Sequence, residues 1–367
     1  KTKKNKTRGI NGSVTSSIMQ SYYAKTNNSF NINYRTNKIN LFGNYSYSLW
    51  QGHGDQTIIR RFRDTTTKQI ETIFDQKIIR HNKSQNHNLK AGLDFYASKK
   101  TTLGVVFSGY INPYKSNNNN VTNLNDANNQ TDSIVIADYY NKGTSGNFST
   151  NLNLQHKFDS AGKEFTVDLD YLDYTQPSNT LLSNNYYYPD LTIRKSPSAL
   201  IGNLPSIVKI YSAKTDFTFP LKHSAKIETG LKSSYVSTDN DALYQDQTTS
   251  GTVIDEGKTN HFIYKENINA AYINYNQQIK KWGVQAGLRA ENTNANGHQL
   301  GNASHPDSSF TKNYVNLFPT VYVSYTLNDK NTFSANYCRR IDRTDYGDLN
   351  PFYYFLDEYT YQVGNTL

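Results

Sequence analysis

The side chains that could do chemistry in this chain are few and dispersed. Its eight histidines, His53, His81, His87, His156, His223, His261, His298 and His305, are scattered through the sequence, whereas a zinc site needs at least three such ligands to converge. Asp239-Asn240-Asp241 resembles half of a calcium loop, but the glycine and the bidentate glutamate are not at the required offsets. No Gly-x-Ser-x-Gly, phosphate-binding loop or His-Glu-x-x-His is present, and no nucleophile–base pair can be singled out. The expectation is a protein with no catalytic residues, no metal and no cofactor. The best ligand-facing candidates by type are Tyr186, Tyr187 and Tyr188, followed by Pro189. Aromatic faces stack on sugars and planar ligands, although three tyrosines in a long loop also pack on one another. Two charged pairs stand out as well: Asp168 with Asp170, and Arg289 with Glu291, each two residues apart in a stretch of alternating character.

Two residues is the period of a β-strand, so each of these pairs shares one face of its strand. The same period runs through the chain. Leu89, Ala91, Leu93 and Phe95 alternate with polar residues, as do Leu103, Val105 and Phe107, then Phe165, Val167, Leu169 and Tyr171. Six short turns, centred near Asn37, Lys99, Ala161, Lys222, Lys280 and Asp329, separate such runs at nearly even spacing. Long stretches rich in Asn, Asp, Thr and Ser, at 51–83, 113–142, 176–207, 239–261 and 298–311, lie between them. Six hairpins give twelve strands of about 11–16 residues, longer than the roughly 5–6 of soluble sheets. An earlier strand over 9–20 makes thirteen, and a fourteenth begins near Tyr359.

Short turns at one end and long polar loops at the other are the layout of an antiparallel up-and-down transmembrane β-barrel of an outer membrane. A helical membrane protein is excluded, because no run approaches the roughly 18 apolar residues a spanning helix needs. An apolar content of 36% would suit disorder, but 30 Tyr and 17 Phe would not. In a barrel, the polar faces must point into a wet lumen, so Asp168, Asp170, Arg289 and Glu291 are expected to face it. Aromatics recur beside the short turns (Tyr34, Phe95, Phe158, Phe165, Phe219, Trp282, Tyr325 and Phe333), as an interfacial girdle would require. Some β-like segments in the long stretches, such as 57–62 and 70–79, read as hairpins extending the wall above the membrane. The single Cys338 excludes an intramolecular disulfide and reads as a small residue packed on a strand. The net charge of +9 owes much to Lys1-Thr2-Lys3-Lys4-Asn5-Lys6-Thr7-Arg8, which lacks interleaved aromatics and reads as a solvated junction, not a nucleic-acid arm.

The final segment carries a resemblance. Asn316 to Tyr325, then Tyr337-Cys338-Arg339-Arg340-Ile341-Asp342-Arg343, then Asp348-Leu349-Asn350-Pro351-Phe352, then Tyr359-Thr360-Tyr361-Gln362-Val363-Gly364-Asn365 occur in the order found in Bacteroidota TonB-dependent-receptor-like outer membrane proteins. Gly287-Leu288-Arg289-Ala290-Glu291 resembles that family's Gly-Leu-Arg-x-Glu strand. Thr344-Asp345 and Asn365-Thr366 depart from its usual Pro-Ser and Asn-Pro. The resemblance implies a barrel of about 22 strands around an N-terminal plug. Residues 1–8 would then be the junction from a plug absent from this sequence, and 9–367 a partial barrel of about 14 strands. It also implies uptake of a small ligand bound by extracellular loops, with outer-membrane lipid, the plug and, through the plug, the TonB complex as partners. A structural or adhesive surface barrel, or a passive porin, stands as the alternative.

Overall fold

The computed structural model describes residues 8–343, 353–357 and 359–364. The run at 1–7 and the Leu349-Asn350-Pro351-Phe352 motif lie outside the described residues. The fold is all β. Its strands are β1 (Gly9–Gln20), β2 (Ala24–Arg35), β3 (Ile39–Arg63), β4 (Ile70–Phe95), β5 (Thr101–Asn125), β6 (Thr131–Lys157), β7 (Glu164–Gln176), β8 (Asn179–Tyr187), β9 (Ile193–Asn203), β10 (Ser206–Pro220), β11 (Ala225–Thr248), β12 (Gly251–Ile254), β13 (Asn260–Ile279), β14 (Trp282–Leu300), β15 (Ser308–Asn328), β16 (Asn331–Cys338), β17 (Tyr353–Asp357) and β18 (Thr360–Val363).

Sixteen of these strands form one antiparallel sheet. Its continuous path runs β1-β2-β3-β4-β5-β6-β7-β10-β11-β13-β14-β15-β16, so the thirteen wall strands follow one another in chain order. All six expected short turns fall between consecutive wall strands, and their polar residues close them. Asp159 Oδ1 accepts from the N–H groups of Ala161, Gly162 and Lys163, and Asn328 Oδ1 accepts from those of Lys330 and Asn331. Gly162 sits at φ 103°, where a side chain would be strained.

The register assigns every side chain to a face. On β11, Ile227, Leu231 and Tyr235 point one way, and Lys226, Glu228 and Lys232 the other. Across the sheet the first face carries Ile10, Phe107, Ile111, Phe148, Leu152, Leu169, Ile273, Leu288 and Val315, all exposed. Each would leave about 1.5–3 kcal/mol of burial unrealised in water; against lipid the band is at home. The aromatics beside the short turns sit on this outer face. Trp282 packs on Tyr325 at 4.6 Å, and Phe217 stands within 6.5 Å of Phe158, Phe165 and Phe219.

The strands are longer than the expected 11–16 residues. β3 has 25, β4 26, β5 25, β6 27 and β11 24. Crossing a bilayer takes about 9–11, so the wall continues well beyond the apolar band. The stretches 51–83 and 113–142 are thus mostly strand, including the Asn117–Asn120 run, because neighbouring strands satisfy their backbone groups whatever the side chains. In this upper zone the faces exchange character. Val236, Ala242 and Tyr244 are buried on the inner side of β11, while Ser237, Asp239 and Asp241 point outward. The stretch 176–207 forms a hairpin, β8–β9, that replaces β7 and β10 there, with β8 pairing to β6 and β9 to β11.

Two expectations need correcting. The segment near Tyr359 does not extend the wall as a fourteenth strand. β18 pairs with β17 in a separate two-stranded sheet. β17 meets the inner apolar cluster instead: Tyr244 donates to the Tyr353 carbonyl at 2.6 Å, and Phe355 packs on the Tyr244 ring, while Tyr359 and Tyr361 stay exposed. Cys338 is exposed, not packed, because β16 has β15 as its one strand partner among the described residues.

The two faces make opposite demands of neighbouring positions. Leu152→Arg, on the lipid side, should cost ~2–4 kcal/mol of folding free energy in denaturant titrations in lipid. Asn151→Arg, one residue away and beside Asp170, should cost little. Equal costs would reverse the assignment of faces.

Candidate lumenal site

On the inner face, the register lines polar side chains into rows. Asp168 stands between Asn153 and Lys214, and Asp170 between Asn151 and Ser212. Arg289 stands between Tyr272 and Phe318, and Glu291 between Ala270 and Asn316. All four lie opposite the outward-facing Leu169, Leu288 and Ala290. The rows are hydrogen-bonded, as polar groups behind a wall must be. Asn151 donates to Asp170 at 2.7 Å, Asn153 to Asn151 at 2.9 Å and Asn40 to Asp94 at 3.1 Å. Asp216 takes Lys214 at 2.6 Å and also the Tyr272 hydroxyl, and Lys226 holds Glu228 at 2.7 Å.

The two pairs from the sequence are not brought together. Asp168 and Asp170 sit on β7; Arg289 and Glu291 sit on β14, with β10, β11 and β13 between them. Arg289 and Glu291 pair directly, and Arg343 completes the group. Glu291, 7% exposed, accepts from Arg289 Nε at 2.5 Å through one carboxylate oxygen and from Arg343 at 2.7 Å through the other. Arg343 arrives from the segment after β16, which folds back over the inner face. On the way, Arg339 donates to the Leu317 carbonyl at 3.0 Å and covers the Phe318 ring. The Gly-Leu-Arg-x-Glu strand and the arginine run, the two most specific sequence features, are therefore in ionic contact. Local spacing cannot reveal a pairing across 52 residues. Beside them, Lys214, Tyr272, Arg289 and Phe318 line a recess of about 390 Å³. Its donors and aromatic faces suit contact with a polar, partly anionic surface in the lumen.

Tyr186, Tyr187 and Tyr188 do not form one platform. Tyr186 is buried on the inner side, its hydroxyl 2.8 Å from Ser198 Oγ and its ring covered by Lys195. Tyr187, one residue on, faces the other side. Tyr188 lies past the end of β8, exposed at the hairpin tip. The tip is set by Asp190, which accepts from the Thr192 N–H and hydroxyl; these bonds hold its carboxyl below the usual range. Strand alternation separates what adjacency in sequence had grouped. Among the described residues, no cluster of three His, Cys, Asp or Glu is placed to hold a metal ion.

A family model described as the outer membrane protein beta-barrel family matches residues 156–367. No curated protein sequence matches the chain. Among solved structures, the crystal structure of the outer membrane protease OmpT from Escherichia coli aligns at 12% identity and a TM-score of 0.27, covering 79% of this chain and 97% of that one. A likeness of that size carries no argument about activity. The chain belongs to the outer membrane protein β-barrel family and is an integral protein of the outer membrane.

Glu291 and Arg343 should be energetically coupled. In the protein as expressed, Glu291→Gln should cost on the order of 2 kcal/mol, less than the roughly 3–5 of a fully buried pair because both arginines are a third exposed. Adding Arg343→Ala should cost little more. Full additivity in a double-mutant cycle, read by denaturant titration, would mean the pair does not tie the returning segment to the wall.

Proposed function

We propose that this member of the outer membrane β-barrel family is the wall of a TonB-dependent receptor of the Bacteroidota type, taking up a small ligand by energy-coupled transport. The observation that carries the reading is the Glu291–Arg343 contact. It joins two of the sequence runs on which the resemblance rests, and it draws the arginine segment inward over the lumenal face. The height of the wall agrees with it. Strands of 24–27 residues stand above the bilayer with their inner faces buried, giving an enclosure capped by loops such as the tip carrying Tyr188. Loops on a rigid scaffold are where capture usually resides.

Within this reading, residues 1–8 are the junction from a plug and 9–367 a partial barrel. β1 and β16 each pair along one edge only among the described residues. Backbone groups left open in hydrocarbon are costly, so further strands would complete a wall of about 22. Asp168, Asp170, Arg289 and Glu291 would line the lumen and meet the plug's polar surface. The plug would in turn carry the contact with the TonB complex. We read the chain as non-catalytic and cofactor-free, with lipid as its surrounding partner.

Energy coupling separates this reading from a porin or a surface scaffold. Cells producing the full-length protein should accumulate its ligand against a gradient, and a protonophore should abolish that accumulation while leaving surface binding intact. Uptake that persists with the gradient collapsed would make the barrel a passive pore; neither binding nor uptake would leave a structural role.

A further inference from the structure

Three lysines form a row across the outer surface, above the apolar band. Lys83 on β4 stands opposite Lys115 on β5, and Lys115 stands opposite Lys142 on β6. The parity that turns Leu89, Ile111 and Phe148 toward lipid turns all three lysines outward. Like charges directly opposite one another across a sheet are destabilising, so three in line need a counter-charge. The protein does not supply one. Among the described residues none of the three makes an ion pair; Gln51 and Asn179 stand opposite the ends of the row, and His81, Gln85, Pro113, Asn117, Tyr140 and Thr144 flank it along the strands, with no carboxylate. The Tyr140 ring lies 5.9 Å from the Lys142 ammonium.

The lysines rim a recess of about 600 Å³. Two features open it. Pro113 has no N–H to give the ladder, and pairing between β4 and β5 is interrupted between Ser84↔Tyr114 and His87↔Ile111. On the next strand, β7 leaves β6 after Gly146 and β8 joins only at Lys142. The connecting chain crosses on the inner side of the wall at Gly143, where a Cβ would clash with the Pro177 carbonyl oxygen, and so leaves the outer side open. Depth is set by the strand itself. Ile111 is the last exposed apolar residue of β5, and Lys115 lies four residues further on, about 13 Å along a tilted strand at roughly 3.3 Å per residue. That is headgroup depth on the side of the long loops, which faces the cell exterior.

We propose that Lys83, Lys115 and Lys142 form a binding site for the phosphorylated headgroup of an outer-leaflet glycolipid. Each ammonium is a compact point charge with three donors, and the row spans three strands, enough for more than one phosphate on one lipid. The site belongs to the lipid-facing surface and does not depend on the uptake reading.

The test uses the full-length protein in zwitterionic micelles, titrated with a diphosphorylated glucosamine lipid, with its dephosphorylated form and with inorganic phosphate, and read by thermal unfolding and native mass spectrometry. The wild type should show saturable stabilisation and a retained lipid with the phosphorylated form only. Changing Lys83→Gln, Lys115→Gln and Lys142→Gln together should weaken apparent affinity about a hundredfold, at roughly fivefold per lysine near an anionic surface. Single Gln variants should each lose about fivefold, and the triple Arg variant should keep the response, which holds the test open if the triple Gln protein does not fold. An undiminished response in the Gln variants, or an equal response to the dephosphorylated lipid, would overturn the proposal. Stabilisation by inorganic phosphate alone would overturn it in favour of a free-anion site.

Discussion

Antiparallel register is the constraint on which the rest of this structure depends. Side chains alternate with a period of two, so a slip of one residue would exchange the faces of a whole strand. Six short turns hold the register, and each leaves little slack. With those turns closed, Leu152 and Leu169 must lie side by side toward lipid, and Asn151 must lie beside Asp170 toward the lumen. No separate cause is needed for the polar rows inside or the apolar band outside. Both follow from pairing that was fixed a few residues away.

The second organising fact is that inner-face side chains become buried in the upper part of the tall strands, and on β11 the faces exchange polarity as well. β11 shows the change within a few residues: Leu231 and Tyr235 are exposed apolar side chains, Val236 and Ala242 are buried ones on the opposite face, and Asp239 and Asp241 point outward. Below the change the wall is a membrane protein; above it, the same strands follow the rules of a water-soluble sheet. The inner apolar cluster of Leu182, Leu200, Tyr244, Phe262 and Tyr264 belongs to this upper zone. There the β8–β9 hairpin takes over from β7 and β10, and there Phe355 finds its burial.

This division explains what was legible in the sequence. Strand alternation and turn chemistry are local, so the short turns and the thirteen wall strands could be read from neighbouring residues. Strand ends could not. The Asn117–Asn120 run has the composition of a loop and yet is paired along its length, because a backbone between two long strands is held by its neighbours' N–H and C=O groups. The same alternation divides the tyrosine trio, sending Tyr186 inward and Tyr187 outward. Contacts distant in sequence, above all Arg343 with Glu291, leave no local trace.

The charges themselves show why location decides their partners. On the inner face, the least exposed charges are paired within the protein: Glu291 has two arginines, and Asp216 has Lys214 and Tyr272. On the outer surface above the band, long cationic side chains can reach water or headgroups without help from the fold. The lumenal rows carry both signs, with Lys214, Lys226 and Arg289 set among carboxylates, and a row of three lysines of one sign stands outside, where the surrounding membrane can complete it. The same wall thus carries two electrostatic regimes, separated by the thickness of one sheet.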